Sequence, residues 1–351
     1  MFKNMRKFLR SSVIIVLLFM LIPELNAQYT FDQLMNFGVR SDEKGEYVAA
    51  IASLDQAVEL KPNDDMAWLT RGVVRVHMKD YGSAVVDFNK AILLNPNRTE
   101  TYLYRYIAYR ETENYQFAFS DINTYVNAMP NDTMARIQRM QLSLLLSEYE
   151  TMNTDVVWLY ERMGDALFAD YSAMYNDHFE KHKHYNEYAK ILIPLLEKYP
   201  NSQVIKYQLM LAHFQLAQYE PCLKLLNDLL QGDSKGFTLE RYKADALFFL
   251  NRMSEAETLY ADLLSYLPTD ADLMADYGHC LLQLEKWNDA DMWLSKSIKA
   301  KNNTPAYAYL GRGIARYNLG KAGLACADWE RSYLLGEKSA KKWLEMNCQT
   351  K

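Results

Sequence analysis

Small and large apolar positions recur along this chain with a period of 34 residues, most plainly between Asp65 and Arg98. That stretch carries Trp68, Gly72, Tyr81, Ala84, Phe88 and Ala91 and closes on Pro96. The prolines keep the same count. Pro62, Pro96 and Pro130 are 34 residues apart, Pro200 follows after 70 and Pro268 after a further 68. Each sits in a similar string, from "LKPND" and "LNPNR" to "AMPND", "KYPNS" and "YLPTD". Proline stops a helix there, and the Asn, Asp, Ser or Thr residues that follow can cap the next one. A helix-ending signal at a fixed 34-residue interval predicts an all-α chain, a solenoid of stacked helix-turn-helix units.

With positions counted 1 to 34 in each unit, residues 65–98 resemble the tetratricopeptide repeat. Trp68 stands at position 4, Gly72 at 8, Tyr81 at 17, Ala84 at 20, Phe88 at 24, Ala91 at 27 and Pro96 at 32. Arg71 at position 7 and Arg75 at 11 depart from the Leu and Tyr of that pattern. Residues 31–64 match through Gly38, Ala50 and Leu54, residues 271–304 through Gly278 and Ala290, and residues 306–339 through Gly313, Ala325 and Trp329. The resemblance implies a right-handed α-solenoid in which small residues at 8, 20 and 27 let helix backbones approach. The same ruler gives nine units over 31–339, with Pro305 as a spacer and two extra residues in a fourth unit, 133–168.

The divergent repeats span 99–270. In units three to six, over 99–236, position 8 is Tyr106, Met140, Asn176 and Met210, so the helix pairs there are expected to be wider or re-angled. Residues 146–168 read as a broken helix, and Pro194 is expected to kink the second helix of its unit. Residues 340–348 form a short amphipathic segment that reads as the cap a terminal repeat needs.

Residues 1–27 stand outside the repeat. A basic run (Lys3, Arg6, Lys7, Arg10) precedes the apolar stretch Val13–Ile22 and the sequence Leu25-Asn26-Ala27. Ten apolar residues fall short of the roughly 20 that span a bilayer, so the segment reads as a secretory signal peptide. The repeat region, within 28–351, is then exported, with no further membrane span; the periplasm is the expected location and secretion the alternative. Half of the 351 residues are hydrophobic, which excludes a largely disordered chain. A formal charge of -5 gives no reason to expect a nucleic-acid partner.

Chemistry-bearing motifs are sparse. The sequence holds no Gly-x-Ser-x-Gly, no His-Glu-x-x-His and no phosphate loop, so neither an enzyme nor a cofactor is expected. His178 and His182 are one helical turn apart, with His184 close by, but no third metal ligand is evident and a solvated polar turn is the plainer reading. Cys222 and Cys280 read as inert core thiols. Cys326 and Cys348 flank Gly336 at ten and twelve residues, a spacing open to a disulfide or to two separate thiols.

In the tetratricopeptide family, positions 2, 5, 9, 12 and 13 line a ligand groove. Carried over by register, the resemblance implies groove positions at Met35, Val39, Met66, Leu69, Val73 and His77, then at Tyr207, Leu211, Phe214, Phe248, Phe249, Leu282, Tyr307, Leu310 and Tyr317. The family's Lys/Asn carboxylate clamp is absent, since Met35 and Val39 occupy its first places. The expected function is a non-enzymatic scaffold that holds protein or peptide segments in this groove and serves envelope or secretion machinery. Alternatives are a small-ligand or glycan-binding protein and an accessory subunit of an enzyme complex. The ending "GKAGLACADWERSYLLGEKSAKKWLEMNC" resembles that of tetratricopeptide proteins from Bacteroidetes.

Overall fold

The structure, a computed structural model, describes residues 29–231 and 236–348. The signal segment read at 1–27 lies outside these residues. Among them every regular element is an α-helix. By their contacts the helices form two units, one ending at Asp155 and the other beginning at Val156, each an α-solenoid of helix-turn-helix repeats. In the first, α1 (Phe31–Glu43) pairs with α2 (Tyr47–Leu60), α3 (Asp65–His77) with α4 (Tyr81–Leu94) and α5 (Thr99–Glu111) with α6 (Tyr115–Ala128). Next come α7 (Thr133–Leu146) and α8 (Tyr149–Met163), the latter crossing the division. The second unit continues with α9 (Ala166–His182) and α10 (Tyr185–Lys198), then α11 (Gln203–Gln215) and α12 (Tyr219–Leu229). It goes on through α13 (Phe237–Phe249), α14 (Met253–Tyr266), α15 (Ala271–Gln283), α16 (Trp287–Lys299), α17 (Pro305–Asn318) and α18 (Ala322–Leu334), and ends in α19 (Ala340–Asn347).

One turn is repeated nine times. Position 15 of every unit lies in the left-handed region: Gly45, Lys79, Glu113, Ser147, Lys183, Ala217, Asn251, Glu285 and Gly320. The amide of the next residue reaches back five positions, as from Asp80 to the Arg75 carbonyl at 2.8 Å and from Gln218 to His213 at 2.9 Å. This closure satisfies the last carbonyls of the first helix and aims the chain into the second. Only two of the nine are glycine, so the others hold a conformation that costs an L-residue roughly 1–2 kcal/mol. Between units the turn is capped instead. The Asp64, Asp132, Ser202 and Asp270 side chains each accept from the backbone amide three residues on, at 2.9–3.1 Å. Arg98, at the same place after Pro96, supplies no such cap.

Two local expectations are corrected, the broken helix at 146–168 and the spacer at Pro305. The stretch 146–168 is no broken helix, because α8 runs unbroken from Tyr149 to Met163. It stops at Gly164, which takes the position proline holds elsewhere and has φ +58°. The extra residues of that unit do not form loop, since α9 starts at Ala166, earlier than the ruler places it. Pro305 is no spacer: it opens α17, where its missing N–H costs nothing. Pro194 lies within α10, which is continuous from Tyr185 to Lys198.

The helices of a well-matched repeat meet where a large side chain at position 24 lies on the bare backbone of position 8. A Cβ on Gly72 would stand 2.5 Å from the Phe88 ring, and one on Gly313 2.4 Å from Trp329. Gly38 and Gly278 face Leu54 and Leu294 at 2.6 Å in the same way. Ala84, Ala91, Ala290 and Ala325 are fully buried beside these contacts. In two of the divergent repeats position 8 is large while position 24 stays apolar. Tyr106 and Met210 fill position 8 and are buried, packed in one core with Ile122 and in another with Leu226. At the other edge of the first pair in the family-like repeats, Trp68 donates its indole N–H to the Pro62 carbonyl at 2.9 Å, and Tyr81 packs on the Phe88 core.

The departures at positions 7 and 11 form a polar ladder beside that contact. Arg71 pairs with Asp87, Arg105 with Asp121, Arg139 with Asp155 and Arg312 with Asp328, always sixteen residues on. Each arginine also reaches position 25 of the preceding repeat, namely Asp55, Asn89, Asn123 and Ser295. Arg75 and Arg316, at position 11, add a second donor to Asp87 and Asp328. A bidentate guanidinium suits this role because it bonds two oxygens and still has donors to spare.

At the C-terminal end α19 covers the last repeat, with Trp343 stacked on the buried Trp329 at 5.1 Å. A Cys326–Cys348 disulfide ties α18 to the end of α19, with the Cα atoms 5.7 Å apart. Cys222 and Cys280 are free and buried, and burial pushes each thiol up to about 12, so neither offers thiolate at neutral pH.

Because Ala217 carries φ +54° in a turn whose register the helices fix, Ala217→Gly is expected to stabilise the protein. Relief of the left-handed strain outweighs the added chain entropy by about 0.5–1 kcal/mol. Denaturant unfolding measures it, and Gly45→Ala, with φ +76°, should shift the midpoint the opposite way.

Candidate protein-binding face

The sequence places groove positions on the first helix of each repeat, and the structure sorts them. In the first unit Leu69 belongs to the core around Phe88 and Ala84, with 6% of its surface exposed, so it offers a partner little. Val73 packs on the same core. Met66 is exposed, and so is His77, whose Nδ1 lies 2.8 Å from Asp42.

The second unit brings more together. Phe214, Phe248 and Phe249, read from α11 and α13, meet in one aromatic cluster completed by Tyr219 and Tyr242. Phe214 lies edge-on to Tyr242 at 5.0 Å and to Tyr219 at 5.7 Å. Tyr219 stacks on Phe249 at 4.8 Å, and Phe248 meets Phe249 edge-on at 5.5 Å. Tyr207, Phe214, Tyr219 and Tyr242 rest on a shared core of Met210, Cys222 and Leu226. That packing fixes their rotamers, while Phe249 stays 55% exposed. Rigid rings with one open edge are the form aromatic anchors take in protein recognition.

Further along, on α15 and α17, Tyr307 lies flat on His279 with ring centres 3.6 Å apart. His279 Nε2–H donates to the Tyr307 carbonyl at 3.2 Å. Burial outweighs that bond and lowers the imidazole to about 4, so the ring is neutral at pH 7. Gly311 makes room for it, since a Cβ there would stand 2.6 Å from His279 Cε1. Tyr307, Trp287 and Trp343 contribute to the walls of an open pocket of about 450 Å³. Tyr317 sits apart, tilted against Trp329.

Charge also lies on this face, and sequence reasoning missed it by following only apolar side chains. Positions 5 and 9 of the ruler hold Arg241, Asp245 and His279, so the register itself was a signal. Arg241 bonds Asp276 at 2.7 Å and approaches Asp270 at 3.5 Å. Asp245 accepts from the Tyr260 hydroxyl at 2.7 Å. Burial outweighs that bond and raises Asp245 to about 6. Asp276 is raised for the same reason, against the pull of Arg241.

His178 and His182 are adjacent, with ring centres 4.6 Å apart. Burial, reinforced by the neighbouring His182 and His184, lowers His178 to about 4. Among the described residues no group of three or more His, Cys, Asp or Glu is arranged to hold a metal ion. Nor is any described helix long and apolar enough to cross a membrane.

Stacked helix pairs with a 34-residue period, a left-handed position 15 and a position 8–24 contact define a helix-turn-helix repeat protein. Residues 67–98 and 247–312 match tetratricopeptide repeat models, so the chain carries tetratricopeptide repeats in these two segments. No curated protein matches it. Among solved structures, a tetratricopeptide repeat protein from Parabacteroides merdae is similar at 16% identity and a TM-score of 0.34, over 91% of this chain and 99% of that one. MamA from Desulfovibrio magneticus is similar at 13% identity and a TM-score of 0.42, over 49% of this chain and 94% of that one. Tetratricopeptide repeats make the chain a protein-interaction scaffold, a class that is generally non-catalytic.

The shifts of Asp245 and His279 act in opposite directions on stability. Asp245 holds its proton more tightly folded than unfolded, so stability falls as pH rises from about 4 through about 6. His279 is lowered, so its contribution is present above 6.5 and lost as pH falls towards about 4. Asp245→Asn keeps an acceptor for Tyr260 and should remove the first effect. Melting temperatures across pH 4–7 should show the wild type losing on the order of 1–3 kcal/mol relative to this variant as pH rises.

Proposed function

We propose that this protein is an exported scaffold that binds extended protein segments along the first-helix face of its second unit. The observation that carries the reading is the packed aromatic cluster of Phe214, Tyr219, Tyr242, Phe248 and Phe249 with its exposed edge at Phe249. A segment lying there gains apolar contact with rings already held in place, so little conformational entropy is lost on the scaffold's side. The arrangement works by binding alone. It holds a client in a defined position, and no group on the face is placed for covalent chemistry.

Export rests on the basic-then-apolar segment at 1–27, and the Cys326–Cys348 disulfide suits an oxidising compartment. The periplasm of a Gram-negative bacterium, of the Bacteroidetes lineage that the C-terminal sequence resembles, is the setting that joins these features. Assembly or organisation of envelope or secretion machinery is the role there.

Affinity capture from envelope extract with residues 28–351 tests the reading. A Phe249→Ala variant should lose at least tenfold of the captured client, because that side chain is exposed and can be removed without opening the core. Equal retention by both forms, with circular dichroism unchanged, would place the binding site elsewhere.

A further inference from the structure

The molecule is generous with cations for its buried carboxylates, except on this face. Asp87, Asp155 and Asp328 each receive two arginines, and Asp121 receives one in a bidentate pair. Between α13 and α15 the ratio is reversed. Asp245, Asp270 and Asp276 share the single guanidinium of Arg241, whose hydrogen bond goes to Asp276. Asp245 is left with the Tyr260 hydroxyl, a neutral donor. Among the described residues, Asp272, on the same helix as Asp276, is bonded only by the neutral amide groups of Asn303. The strip therefore carries surplus negative charge in a partly buried setting, where a carboxylate gains most from a cation.

The rings stand beside that charge. Tyr242 and Phe249 stand three residues before and four after Asp245 on α13, so all three share one face of that helix, and Tyr219 stacks on the exposed Phe249. A carboxylate edged by aromatic faces suits an ammonium or guanidinium group with an apolar stem. The stem covers the rings, the cation meets their negative faces, and the carboxylate completes the charge.

Resting on the proposed binding role of this face, we propose that its partner is a basic segment. A Lys or Arg side chain would lie between the Tyr219–Phe249 stack and Asp245, with an apolar or aromatic neighbour on Phe214 and Phe249. Acidic segments are repelled, the reverse of the carboxylate-gripping selectivity that the Lys/Asn clamp would have conferred.

The probe is a set of synthetic peptides with one aromatic residue in common, flanked by Lys/Arg, by Ser/Gln or by Asp/Glu. Binding is read by fluorescence anisotropy at pH 7.5 against the purified protein. Basic peptides should bind at least tenfold more tightly than acidic ones. Asp245→Asn, which keeps the acceptor for Tyr260, should weaken the basic set about fivefold or more and leave the neutral set unchanged. Arg241→Gln should strengthen the basic set by removing the competing cation. Equal or tighter binding of acidic peptides, or basic binding unmoved by Asp245→Asn, overturns the proposal. Charge-indifferent binding that Phe249→Ala abolishes would overturn it while leaving the proposed function standing. If no peptide of any charge binds, both fall.

Discussion

A large side chain on the second helix of a repeat must rest on the backbone of the first, and most of the architecture follows from that contact. Phe88 on Gly72, Trp329 on Gly313, and Leu54 and Leu294 on Gly38 and Gly278 stand sixteen residues from their glycines. The distances leave no room for a Cβ, so the helices approach closely there while the large side chain fills the flank. The left-handed turn at position 15 meets the same requirement from the chain's side. It bends the backbone so that the second helix runs back along the first, and it does so even where Lys79, Glu113 or Ala217 must adopt a costly φ. Packing across the pair outweighs that local cost.

The arginine ladder shares the sixteen-residue spacing, so the same antiparallel pairing brings it together. Its energetic value differs in kind. A buried ion pair returns little net stability after desolvation, but Arg71, Arg105, Arg139 and Arg312 each grip an Asp in their own repeat and a polar side chain in the one before. A slip of either helix by one residue would strand a charge in the interior. The ladder therefore specifies register within and between repeats, while apolar packing supplies the stability. In 271–304, one of the five units without this pair, an aromatic pair takes its place: Tyr277 and Trp293 occupy positions 7 and 23 and meet edge-on at 5.5 Å.

Much of this fold was legible in the residues. Prolines followed by capping side chains announce the turns between repeats, and small residues at 8, 20 and 27 announce the helix crossings. The family-like pattern hid what differs from it. Arg71 and Arg75 looked like mismatches because the family pattern puts apolar residues there and does not point to Asp87 as their partner, and the turn at position 15 carries no glycine signal in most repeats. Gly164 replaces proline without resembling it, which is why α8 read as broken. On the candidate face the apolar members were readable by register, and three of them do meet. Their polar neighbours escaped because Asp245 and Arg241 resemble ordinary solvated charges until burial and pairing are known. Leu69 shows the converse, since a groove position can be consumed by the core of its own repeat.

The most direct test is a double-mutant cycle at Gly72 and Phe88. With Phe88 in place, Gly72→Ala should destabilise by about 1–3 kcal/mol, because the new methyl group collides with the ring. In a Phe88→Ala background the collision is gone, and the same substitution should stabilise by up to about 1 kcal/mol through helix propensity. A reversal of sign would establish that contact at this crossing sets the repeat geometry. An equal effect of Gly72→Ala in both backgrounds would contradict it.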